Sequence, residues 1–119
     1  MSDITLSGWL DSTAEIRAKL LAYSRSPIPT DPGARQLDVS EALTLGQDAG
    51  DLMVDVDKHL ADRTAQEILG FKGEGFSADE RKQLIKSKVS DITMLRNKLK
   101  IIYKTITDRR FSLMSVGRW

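Results

Sequence analysis

An all-α fold, a long antiparallel helical hairpin of coiled-coil character with an additional N-terminal helix, is what this sequence predicts. Three observations carry the expectation. First, Ile85, Ile92, Leu99, Ile106 and Leu113 recur at a strict seven-residue interval, with Leu95, Ile102 and Val116 offset by three and Lys88 and Arg109 interrupting that second row. Such a pattern reads as a long helix with an apolar seam seeking partner helices. Second, all three prolines fall between positions 27 and 32, and a glycine-rich stretch falls at 70–76, so the chain is punctuated at two places. Third, the segments on either side of the second break carry opposite charge.

The 119 residues are one domain's worth of chain. The first helix is expected over about 3–24, with Leu6, Trp9, Leu10, Ile16, Leu20, Leu21 and Tyr23 giving one apolar face. Ser12 and Glu15 resemble a capping box and offer a later start, but the apolar spacing favours the longer helix. Gly8 weakens that stretch by roughly 1 kcal/mol relative to Ala. A proline-rich linker is expected over 26–36, because proline donates no hydrogen bond to a helix ladder and restricts the residue before it. Pro29-Thr30-Asp31-Pro32 has the PxxP spacing, but no basic residue adjoins it as in a recognition motif, so plain linker is preferred.

The second helix is expected over about 38–69, with Asp38 and Glu41 as its capping pair. Its apolar face is Leu45, Ala49, Leu52, Met53, Val56 and Leu60, ending in Ile68 and Leu69. Gly46, Ala49 and Gly50 form a small-residue patch beside that face, read either as room for a closely packed neighbour or as plain surface glycine. The loop 70–76 contains Gly70, Gly73 and Gly75, yet neither GxxxxGK[ST] nor GxGxxG, so it is a turn and not a nucleotide site. Phe71 and Phe76 close the apolar seam on its two sides. Ser77 and Glu80 then open a third helix over about 77–115 with a capping box, leaving a tail at 116–119. At 1.5 Å per residue the third helix would span about 55 Å and the second about 45 Å, and a seven-residue loop returns them antiparallel.

Residues 37–69 carry eight acids (Asp38, Glu41, Asp48, Asp51, Asp55, Asp57, Asp62, Glu67) against Lys58 and Arg63, a net of −6. Residues 81–118 carry eleven bases against Asp91 and Asp108, a net of +9. Charges flanking an apolar seam pair across it and select the partner and direction. The surplus is positive, and Arg109, Arg110 and Arg118 are expected to extend past the start of the second helix, where no acid is left for them. The third helix is also apolar on further flanks: Val89 and Tyr103 on one, Met94 and Ile101 on another. The first helix covers part of that surface, and the remainder favours a homo-oligomer, most simply a two-fold dimer.

Chemistry is sparse. Without cysteine there is no disulfide, thiolate metal site or thiol nucleophile. His59 is the only histidine. It stands four residues from Asp55, a pair that suits weak metal binding or base-and-orienter work, but a seam-edge histidine is the preferred reading. The acid stripe Asp48, Asp51, Asp55 and Asp62 lacks the Glu-x-x-His motifs of a carboxylate metal centre. No catalytic residue, metal ligand, cofactor or small-molecule substrate is therefore assigned, and the chain is expected not to be an enzyme. Nucleic acid is a candidate partner, since Lys82, Lys86, Lys100 and Lys104 sit at helical spacings and Tyr103, Phe111 and Trp119 offer stacking surfaces. Against it, the bases are spread around the helix, and the pI is only about 8.0. The surface expected to meet a partner is Met94, Ile101, Tyr103, Arg109, Arg110, Phe111 and Trp119, the terminal tryptophan being an anchor or a disordered end.

The run Phe76-Ser77-Ala78-Asp79-Glu80-Arg81-Lys82, the pair Tyr103-Lys104 and the run Arg109-Arg110-Phe111-Ser112-Leu113 resemble small helical-hairpin accessory proteins of tailed phages. The resemblance covers about residues 40–115 and carries no site residues. It implies an accessory protein linked to DNA replication, recombination or host takeover, working in the host cytoplasm. From the residues alone, Met1 to Leu10 lack a basic segment followed by an apolar run, and the apolar runs are far too short to span a bilayer, so a soluble cytoplasmic protein is expected. The expected role is a scaffold, adaptor or inhibitor acting through protein contacts, with nucleic-acid binding along the third helix as the alternative.

Overall fold

The computed structural model describes residues 5–71 and 75–116, and of residues 115 and 116 the backbone alone. Among the described residues four helices follow one another: α1 (Leu6–Arg25), α2 (Pro32–Gly70), α3 (Ala78–Lys88) and α4 (Ser90–Val116). The fold is all-α, a long hairpin of α2 against α3 and α4 with α1 laid along one side. Its extents are 64 × 30 × 20 Å, and its radius of gyration is 18.8 Å. A compact domain of this length would have about 13.5 Å, so the molecule is a rod.

The seam of the rod follows the seven-residue pattern. On α4, Ile92, Leu99, Ile106 and Leu113 are buried at their strict interval. On α2, Ala42, Leu45, Ala49, Leu52 and Val56 are buried at alternating spacings of three and four, the antiparallel counterpart of the same seam. From Val56 that spacing runs on through His59 and Arg63. Ile68 and Leu69, expected to end the apolar face, therefore fall outside the seam and are exposed.

α1 is antiparallel to α2 and parallel to α4. Its first turns lie beside Asp55 and Ile92, and its last turn lies beside Asp38 and Arg109. Trp9 and Leu20 are its buried contribution to the core. Thr5 caps it by accepting the Gly8 amide at 3.1 Å. Trp9 Nε1 donates to Asp55 Oδ2 at 3.1 Å and fixes the helix lengthwise on α2.

Two boundaries differ from expectation. α2 begins at Pro32, six residues before Asp38, and the linker shrinks to the short segment between α1 and Asp31. Proline is favoured at the first helical position, where its missing N–H would have no partner and its fixed φ already suits the helix. Asp31 supplies the cap, its Oδ2 accepting from the Ala34 amide at 2.9 Å. Pro32, expected within the linker, starts a helix.

The single helix expected over 77–115 is two helices, interrupted at Val89 with φ −105° and ψ 12°. Ser77 caps α3 as anticipated, accepting the Glu80 amide at 3.2 Å. At the break, Ser90 and Asp91 follow a β-branched residue, and such short polar side chains bond their neighbouring backbone in competition with the helix ladder. Asp91 Oδ1 does so, receiving the Ile92 amide at 2.9 Å. Val89 itself turns inward and is buried. Beyond it, Phe71 and Phe76 meet edge to face at 5.6 Å and close the hairpin tip.

Candidate functional site

Position 109 interrupts an apolar row, and the structure shows why an arginine can stand there. The Arg109 side chain is 7% exposed and that of Asp38 8%. Arg109 Nε donates to Asp38 Oδ2 at 2.8 Å, and Nη2 donates to Asp38 Oδ1 at 3.1 Å, a two-pronged pair. The remaining donors reach the end of α1. Nη1 donates to Ser26 O at 2.7 Å, to Ser26 Oγ at 2.9 Å and to Tyr23 O at 3.2 Å, and Nη2 donates to Pro27 O at 3.1 Å. The last carbonyls of a helix have no partner within it, and here a guanidinium supplies one. The Tyr23 ring lies under the guanidinium at 4.3 Å, and its hydroxyl donates to Asp38 Oδ1 at 2.8 Å. Burial first, then that hydrogen bond, raise the phenol's pKa above the ordinary tyrosine range.

Arg109 is thus removed from the expected interaction surface. The early start of α2 places Asp38 beside it, so this base does not extend beyond its acidic partners. It is a structural clamp holding the end of α1 to the hairpin. Asp38, expected as a helix cap, is an interior helical residue because Asp31 has taken that role.

The other expected surface residues fall into two groups. Met94 and Ile101 lie one heptad apart on the outside of α4, 59% and 66% exposed. Tyr103 and Arg110, also one heptad apart, lie about 160° round the helix from Ile101 and line a groove against α2. Phe111 is exposed between these two stripes, with the Arg110 guanidinium 5.2 Å from its ring. Trp119 lies outside the described residues.

The groove of Tyr103 and Arg110 has a volume of about 150 Å³ and is lined on α2 by Ala42, Leu43, Gly46, Gln47 and Gly50 and on α4 also by Thr107. The small-residue patch on α2 does receive a neighbour. A methyl group added at Gly46 would meet Ile106 Cγ2 at 3.6 Å, and one at Gly50 would meet Tyr103 Cε1 at 3.5 Å. Leu43 and the glycines belong to this surface and were missed as site residues. The signal in the sequence was two helix-weakening glycines one turn apart on α2, and their match in height to Tyr103 comes from the structure.

No protein-family model, no curated protein and no solved structure matches this chain.

A second, wider groove of about 670 Å³ lies at the other end, among Thr5, Leu6, Trp9, Asp55, His59, Asp62, Arg63 and Ile92. Here Asp55 holds the Trp9 indole, and the His59 ring lies tilted against that indole at 5.8 Å. His59 is half-buried at the seam edge. Among the described residues no group of three histidine, aspartate or glutamate side chains is placed to hold a metal ion. No described helix is long and apolar enough to cross a membrane.

Charge pairing across the hairpin follows the asymmetry of the sequence. Arg96 pairs with Asp57, Lys88 with Glu67 at 3.3 Å, and Arg109 with Asp38. Desolvation opposes ionisation of Glu67, but hydrogen bonds from Arg63 and Lys88 and their charges outweigh it and lower its pKa from the usual carboxylate value. Exposed pairs of this kind are weak and screened by water, so they select direction more than they stabilise.

Proposed function

We propose that this chain is a non-enzymatic helical interaction module, a scaffold, adaptor or inhibitor, that self-associates as a two-fold dimer. The supporting observation is the stripe of Met94 and Ile101 on the outside of α4, two large apolar side chains one heptad apart that neither α1 nor α2 covers. Burying each would contribute about 1.5–3 kcal/mol, and a two-fold contact buries every such residue twice. The resemblance to helical-hairpin accessory proteins of tailed phages is in keeping with a small module that works by binding. Sedimentation equilibrium tests the reading: a dimer is expected, converted to monomer by Met94→Lys with Ile101→Lys. A wild-type chain that stays monomeric up to millimolar concentration removes self-association.

A second reading, nucleic-acid binding along α3 and α4, has its own support. Among the described residues Lys82, Lys86, Lys98, Lys100 and Arg110 take part in no ion pair, while Tyr103 and Phe111 are exposed beside the last of them. A mobility-shift titration with single- and double-stranded oligonucleotides separates the two readings. Binding that weakens steeply with added salt favours the nucleic acid.

A further inference from the structure

We propose that the groove between α2 and α4, on the face that α1 leaves open, docks an acidic amphipathic helix of a protein partner. The proposal rests on the interaction-module reading and names the chemistry of a partner for it. The groove has an apolar floor of Ala42, Gly46 and Gly50, walled by Leu43 and Tyr103, both exposed. Its volume of about 150 Å³ equals that of a cavity able to hold a benzene ring, which is room for one large apolar side chain. It runs between two long helices, so the shape that complements it is another rod. The low floor lets the ridge of a helix settle against it.

Charge decides which helix fits. No carboxylate lines the groove, and Arg110 closes one end. The Arg110 Nε is shielded from solvent and has no hydrogen-bond partner. Lys100, on the same side of α4 one turn before Tyr103, takes part in no ion pair among the described residues. Nε itself is out of an incoming group's reach, but the outer part of this guanidinium pairs with no acid among the described residues, and an incoming carboxylate would give it a charge-assisted bond. A second copy fits this face less well. Its own matching wall carries the same cations, and the acids Glu41, Asp48, Asp55 and Asp62 run at seven-residue intervals along another edge, where Asp55 bonds Trp9 of α1. A nucleic-acid strand would meet a narrow apolar floor with few cations along it, where phosphates need a basic track.

The test is a titration of the nitrogen-15-labelled full chain, followed by amide chemical shifts. The probe is a capped synthetic peptide of about five helical turns, with leucines on one face and glutamates flanking them. Saturable shifts confined to 42–50 and 103–110 are expected. Arg110→Glu, checked for an unchanged helical circular dichroism spectrum, is expected to weaken binding about tenfold, while Arg110→Lys keeps most of it. The same peptide with lysine for glutamate needs no variant and is expected not to bind. The proposal is overturned by absent or scattered shifts, by equal binding of the lysine peptide, by displacement with oligothymidylate, or by the same shifts appearing on concentration without peptide. The Met94 and Ile101 stripe is read separately by sedimentation, so loss of this docking site and loss of self-association are distinguishable results.

Discussion

Arg109 and Asp38 meet inside the seam of the hairpin, Nε to Oδ2 at 2.8 Å, joining positions 71 residues apart in the chain. Two charges withdrawn from water gain little net stability from each other, but either one left alone is severely unfavourable. Asp38→Ala is therefore expected to destabilise the fold by about 3–5 kcal/mol, a large share of the roughly 5–15 kcal/mol available to a domain of this kind. Arg109→Met also removes the guanidinium donors from Ser26 O and Pro27 O and one of the donors to Tyr23 O, so it should loosen the end of α1 as well. The double variant Asp38→Leu with Arg109→Met should recover part of the loss but not the tethering of α1. Urea unfolding of the three variants reads the first effect, and amide exchange at 23–26 reads the second.

The same cluster sets an alkaline limit. The Tyr23 phenol is held protonated by burial and by its bond to Asp38, so its folded pKa lies above its unfolded one. A raised pKa contributes stability that is fully present below the unfolded value, about 10 for tyrosine, and is lost as the pH rises toward the folded value. Thermal unfolding should thus occur at lower temperature as pH is raised beyond about 10, and Tyr23→Phe should show a shallower fall. Tyrosinate absorbance should register Tyr23 only as the fold opens. A Tyr23→Phe profile identical to wild type would contradict this.

Glycine is unfavourable inside a helix because it loses more conformational freedom on folding than alanine does, and α2 carries Gly46 and Gly50 in its interior. The added methyl groups would sit 3.6 Å from Ile106 and 3.5 Å from Tyr103, ordinary van der Waals separations. Gly46→Ala and Gly50→Ala are each expected to stabilise the chain by about 0.5–1 kcal/mol, measured by denaturant midpoint. Destabilisation by either would mean that α4 sits closer to α2 than these distances show.

What could be read from the residues was the seam. Ile92, Leu99, Ile106 and Leu113 repeat strictly, and a repeat of seven has one structural meaning, so the hairpin and its direction were legible. The clamp was half legible: a cation within an apolar row signals a buried partner, but the acid that answers it depends on where α2 starts. That start turned on Pro32, whose local preference is to break a helix from within and to begin one at its first position, and only Asp31 distinguishes the two. The break at Val89 is a small competition between backbone and side-chain hydrogen bonds, which the seven-residue pattern overrides in print without preventing it in the fold. The groove needed the heights of two helices relative to each other, and no periodicity within one helix supplies that.

Ile101 and Ile106 lie five residues apart on α4 with opposite fates, fully buried at 106 and 66% exposed at 101. Ile106→Ala removes methyl groups packed against α2 and leaves a void, so it should destabilise by about 2–5 kcal/mol. Ile101→Ala removes the same atoms from a surface already in water and should change the stability of the isolated chain by less than about 0.5 kcal/mol. If the outer stripe is a dimer contact, a different pattern emerges with concentration. The Ile101→Ala chain should lose the concentration dependence of its melting temperature that a dimer imposes, while the Ile106→Ala chain should keep it at a lower temperature. Calorimetry over a range of protein concentrations reads both, and concentration dependence surviving unchanged in Ile101→Ala would move the dimer contact elsewhere on the rod.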